Sequence, residues 1–118
     1  MAETLRTVEQ LQHYFLGVHE RALHHAPEVS EVLFRLAGPV VLYKDEGTDL
    51  ECGTYAGSLA NVLTVRLGGT KYVFSYNHER RTIDMKQNNT RGPVVASLDN
   101  STTQASVTKT VRDLAKQQ

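Results

Sequence analysis

Between Asn61 and Gln87 two turn signals divide three runs of β-branched and aromatic residues, and this stretch limits the fold more than any other. Gly68-Gly69 separates N-V-L-T-V-R-L from T-K-Y-V-F-S-Y, and both glycines can adopt the positive φ of a tight hairpin. A two-residue loop pairs Leu67 with Thr70, Val65 with Tyr72, Leu63 with Phe74 and Asn61 with Tyr76. A second turn around His78-Glu79 pairs Tyr76 with Arg81, Phe74 with Ile83 and Tyr72 with Met85. Both registers gather Leu63, Val65, Leu67, Tyr72, Phe74, Ile83 and Met85 on one face. The other face receives Thr64, Arg66, Lys71, Ser75, Thr82, Asp84 and Lys86, with Val62 and Val73 as apolar exceptions. A slip of one residue would bury the charges and expose Phe74 and Ile83, so the register is strongly specified.

The chain has 118 residues, the length of a single domain spanning 1–118. A chain of that size buries roughly two-thirds of its unfolded surface and needs no covalent staples. Its 40% apolar and 22% charged residues are those of a folded globular protein. No run of eighteen apolar residues offers a membrane span, and the acidic start M-A-E-T-L-R-T-V-E-Q lacks the core of a signal peptide. Cys52 is the one cysteine, so no intrachain disulfide forms and a cytoplasmic location is expected. The net charge of zero hides an asymmetry: residues 1–60 carry four Lys/Arg against nine acids, and residues 61–118 carry nine against four. Such segregation suits charge-steered association, whereas zero net charge argues against non-specific nucleic-acid binding.

Taken in order, Thr4 to Ala26 reads as a long amphipathic helix with a possible capping box of Thr7 and Gln10. Val8, Leu11, Phe15, Val18 and Ala22 form its main stripe, and Leu5, Leu16 and Leu23 a second one. Pro27 opens a second helix, Glu28 to Ala37, which Gly38-Pro39 should stop. Val40 to Lys44 then reads as a first strand, Asp45 to Asp49 as a turn, Leu50 to Tyr55 as a strand, and residues 56–60 as a loop or one helical turn. Pro93 to Leu98 reads as an edge strand, since proline cannot donate to a ladder. Thr102 to Lys116 reads as a last helix, capped by Ser101 with Gln104, or by Asp99 or Asn100. The expectation is an α+β fold: an antiparallel sheet of about five or six strands, with residues 61–87 as a meander, packed on one face by an N-terminal helix pair and a C-terminal helix. This element order is similar to that of frataxin-like domains and of the cone-shaped NTF2-like folds, although the chain has no tryptophan. The second resemblance implies a pocket between helices and sheet.

The residues that carry chemistry are sparse. His13, His19, His24 and His25 are spaced by six, five and one, not by the three or four that puts two ligands on one helix face. No metal, cofactor or catalytic residue is expected from them. Cys52 has no flanking motif of a thiolate nucleophile, and Asp45, Glu46, Asp49 and Glu51 lack the spacing of a calcium loop. Arg66, Lys71 and Lys86, with Arg80, Arg81 and Arg91 near the strand ends, make a modest basic face without the interleaved aromatics of single-strand binders.

The tyrosines point further. Tyr72 and Tyr76 face the helices, Tyr14 and Tyr43 can join them, and Arg81 lies near the Tyr76 end. With His19 they would line an apolar pocket with a few polar groups, the usual form of a small-ligand site. Two functions follow. One is a non-catalytic binding or interaction protein, self-associating as a homodimer through Leu16 and Leu23, through the outer valines Val62 and Val73, or along an open sheet edge. The other is a small-molecule binder or small enzyme using His19, Tyr14, Tyr72, Tyr76 and Arg81.

Overall fold

A computed structural model describes the backbone of residues 2–55 and 58–116 and the side chains of residues 4–53 and 62–116. The order of elements is β1 (Ala2–Leu5), α1 (Val8–His25), a 3-10 turn (Pro27–Val29), α2 (Val32–Tyr43), β2 (Leu50–Tyr55), β3 (Ser58–Leu67), β4 (Thr70–Asn77), β5 (Thr82–Gln87), β6 (Val94–Leu98) and α3 (Gln104–Ala115). The strands form one antiparallel meander in the order β1-β2-β3-β4-β5-β6. The fold is α+β, and the core lies between the helices and the inner face of the sheet. Among the described residues no helix is long and apolar enough to cross a membrane.

The β3–β4 hairpin has the expected register, with Leu67 opposite Thr70, Val65 opposite Tyr72 and Leu63 opposite Phe74. Gly68 and Gly69 take φ of 61° and 83°, the left-handed conformations that a two-residue loop requires. Their amides donate to the two carboxylate oxygens of Asp45, each at 2.7 Å. That pair of bonds ties the chain leaving α2 to the hairpin tip. The β4–β5 pairing lies two residues from the expected register: Asn77 faces Thr82, Tyr76 faces Ile83 and Phe74 faces Met85. The Asn77 side chain accepts from the amides of Glu79 and Arg80, and Arg81 is held at φ 57°, so Arg81 stays in the turn. A shift of two preserves the faces, and all seven inward residues are buried.

On the outer face Asp84 is 1% exposed. Its carboxylate accepts from Asn77 Nδ2, Thr82 Oγ1 and Ser97 Oγ at 2.7–2.9 Å, joining β4, β5 and β6. β6 is an edge strand as expected.

Three expectations for the helical regions are corrected. First, α1 begins at Val8, with the Thr7–Gln10 capping box formed. The residues before that cap are therefore extended, and Leu5 is a buried residue of edge strand β1 opposite Leu50, not part of a helix stripe. Val8, expected on the main stripe, is exposed, and Tyr14 takes the buried place. Second, α2 runs through Gly38-Pro39 to Tyr43, so the strand expected at 40–44 is helix. Proline at 39 removes the amide that would bond the Arg35 carbonyl, and Gln104 Nε2 of α3 donates to that carbonyl instead, at 2.8 Å. Val32, Leu36, Pro39 and Val40 form the buried stripe, while Val41 and Leu42 are exposed, which is helical rather than strand periodicity. Third, Thr103 caps α3 by accepting from the Ser106 amide. Asn100 serves α2 instead: its Oδ1 accepts from the amides of Glu31 and Val32 at 2.8 and 3.0 Å. Of the 56–60 loop expectation, Ser58 to Ala60 belong to β3 and residues 56–57 lie outside the described residues.

Candidate functional site

A cavity of about 320 Å³ lies between α1, the segment from Ala26 to Leu36, and the β3–β5 part of the sheet. Its cause is local. On this side α1 presents the small residues Val18 and Ala22, followed by Ala26, and the sheet residues Leu63, Phe74 and Ile83 line the same cavity. Native cores hold few voids larger than a water molecule, whereas small-ligand sites begin at roughly 300 Å³. Phe15, Val29, Leu33 and Leu36 complete the apolar walls.

Polar groups converge from two directions. Tyr14, Arg21 and His25 come from α1, spaced so that they flank the Val18–Ala22 face. Ser75, Tyr76 and His78 come from the end of β4 and its turn. The Tyr76 hydroxyl donates to Oε1 of Glu28, which links β4 to the 3-10 turn across 48 residues of sequence. That bond holds the Glu28 carboxyl below the usual carboxylate range, helped by its backbone amide and by the positive charge of Arg81. The same bond raises the Tyr76 hydroxyl above its ordinary value, with Arg81 acting in the opposite direction. The His78 ring meets the Tyr76 ring edge-on at 4.8 Å. Burial pushes the Tyr14 hydroxyl well above the ordinary tyrosine value; Cys52 adds to that and Arg21 opposes it. Both tyrosines therefore remain neutral hydrogen-bonding groups at physiological pH.

Of the residues singled out from sequence, Tyr14 and Tyr76 line the cavity, and Arg81 sits beside the Tyr76–Glu28 pair as an exposed cation. His19 does not line it. Its Nδ1 donates to the Ser30 carbonyl at 3.1 Å and its ring lies 4.4 Å from that of Phe34. Tyr72 is buried further along β4 toward the Gly68-Gly69 turn, and Tyr43 packs on the core from the end of α2. Leu16 and Leu23 are 60% and 54% exposed. Val62 is half-buried at the cavity's edge, whereas Val73, flanked by Thr64 and Lys86, is only 4% exposed and presents almost no surface.

Arg21, His25 and Glu28 escaped the sequence reading. Arg21 and His25 have the helical phase of the core stripe, a signal that was available. Glu28 has none, because its partner comes from another element.

A second depression is polar and open. Arg66, Lys71, Asn88, Asn89 and Gly92 surround it at the Gly68-Gly69 end of the sheet. A Cβ at Gly92 would lie 1.8 Å from the Gln87 carbonyl oxygen, so glycine is required there to close the β5–β6 loop. Among the described residues no three His, Cys, Asp or Glu side chains are grouped to hold a metal ion.

Compared with known proteins, residues 11–108 match a family described as "Integron cassette protein VCH_CASS1 chain". No curated protein matches the chain.

Proposed function

The chain belongs to that integron cassette protein family, whose description names no ligand or reaction, and from this premise and the cavity we propose a non-catalytic binding protein for a small, mostly apolar molecule. The observation that carries the reading is the cavity itself, apolar along α1 and the inner sheet with polar groups gathered at its Tyr76 end. A filled core would have placed a large side chain where Ala22 stands. The lone buried Cys52 suits a reducing, cytoplasmic setting. Ten or so non-hydrogen atoms in such a site give about −6 kcal/mol, a dissociation constant of tens of micromolar.

The test is isothermal titration with a panel of octyl compounds differing only in head group. At least one saturates the wild type, and Ala22→Phe, which fills the cavity, weakens it by at least about tenfold, or ~1.4 kcal/mol. Equal binding by a folded Ala22→Phe protein, or no binding by any compound, would reject the reading.

A second reading, homodimer formation, is favoured by a specific patch. Leu16, His19 and Leu23 succeed one another along one side of α1 at spacings of three and four, and Phe34 abuts His19. Phe34 is itself 52% exposed.

A further inference from the structure

Among the described residues the charged side chain lining the cavity is that of Arg21, and on the reading that the cavity holds a ligand, we propose that its occupant is an amphiphile with a carboxylate head seated against Arg21. Among the described side chains lining the cavity, Arg21, His25 and His78 are basic and none is acidic. Glu28 is outside the lining; its carboxylate accepts the Tyr76 hydroxyl and lies in the field of Arg81. A cationic head would therefore meet Arg21 with no acidic partner among the described lining residues.

Arg21 is half-buried against the apolar wall formed by Val18 and Ala22, and it engages protein groups of its own. Its guanidinium is a planar fork of N–H donors, the geometry that matches a two-oxygen acceptor. His25 and His78 are exposed at the rim, where they screen the head from one side while admitting it from solvent. Volume fixes the tail. At the ~30 Å³ that a molecule takes up in liquid water, the cavity has room for roughly ten non-hydrogen atoms. That is the size of octanoate, a straight chain with a carboxylate at one end.

The experiment compares octanoate, octan-1-ol and octyltrimethylammonium by titration calorimetry on the wild type, Arg21→Met and the double variant His25→Gln/His78→Gln. Octanoate should bind about tenfold tighter than the alcohol, with the ammonium compound weakest, and Arg21→Met should bring acid and alcohol together. If Arg21→Met does not fold, the exposed histidine pair and salt decide. The octanoate preference should shrink in the double variant. It should also shrink between low and ~0.5 M salt, while alcohol binding holds. An alcohol or ammonium compound binding as tightly as octanoate overturns the carboxylate assignment and leaves the cavity reading standing. Failure of all three overturns both.

Discussion

Asn100 shows how much one side chain can organise. Its Oδ1 caps the start of α2 by accepting from Glu31 and Val32, and its Nδ2 donates to the Pro27 carbonyl at 2.8 Å. Its backbone adds bonds from its amide to the Glu28 carbonyl and from Arg35 Nη1 to its own carbonyl. One residue thus holds the 3-10 turn that carries Glu28, and through Glu28 the polar end of the cavity. Asn100→Ala should cost about 2–3 kcal/mol, the loss of a cap together with a second bond. Asn100→Asp keeps the acceptor, adds charge favourable at a helix N-terminus, and should cost no more than about 1 kcal/mol. Urea denaturation with unchanged slope separates them, and equal losses would show that the cap does not matter. Asp84 makes a prediction in pH. Burial alone would raise its carboxyl, but the bonds from Asn77, Thr82 and Ser97, with Lys86 nearby, hold it below the usual value. A carboxyl lowered on folding contributes stability that is fully present above its unfolded pKa of about 3.9 and is lost as pH falls through the folded value. Stability should therefore decline below about pH 4, and Asp84→Asn, less stable at neutral pH, should show a shallower decline over that range.

At the scale of elements, α2 carries the main lesson. Gln104→Ala removes the donor that replaces the missing Pro39 amide and should cost about 1 kcal/mol in the wild type. In a Pro39→Ala background the restored amide bonds the Arg35 carbonyl, and the same substitution should cost almost nothing. A double-mutant cycle measures this difference independently of the packing lost with the proline ring; equal costs in both backgrounds would mean that Gln104 does not stand in for the amide. The replacement donor lies 69 residues from its acceptor, so no local pattern could foretell that the helix would pass Gly38-Pro39. The Asn61–Gln87 meander was legible because period-two burial and Gly68-Gly69 act within neighbouring residues. The start of α1 was legible in the Thr7–Gln10 box, yet the box also meant that Leu5 lay outside the helix, a consequence easily missed in so short a strand. For the cavity, Tyr14 and Tyr76 could be placed on inward faces from periodicity. The Tyr76–Glu28 link could not, since it depends on where the 3-10 turn meets β4.

Across the whole molecule, the cavity and the apolar patch occupy opposite sides of α1. At 100° per residue, Leu16 and Leu23 point roughly 150° away from Val18 and its neighbours. Ligand binding and self-association should then be thermodynamically independent, because neither event touches the other's residues. Leu16, His19, Leu23 and Phe34 are few beside the roughly 20–30 residues that each partner contributes to a standard interface, so association should be weak, with dissociation in the micromolar range or above. Sedimentation velocity should show a dimer accumulating with concentration, Leu16→Lys/Leu23→Lys should abolish it, and octanoate should leave it unchanged. The competing surface is edge strand β6, where Val94 and Val95 are both partly exposed and unpaired backbone could join a second sheet. The β5–β6 register shifts at Val94 and Val95, and an irregularity of that kind blunts an edge against strand addition, whereas Leu16 and Leu23 lie on a regular helix. Val94→Lys/Val95→Lys should accordingly leave the dimer intact. If instead that variant dissociates it and the helix variant does not, the contact is strand addition; a monomer at every concentration removes self-association altogether.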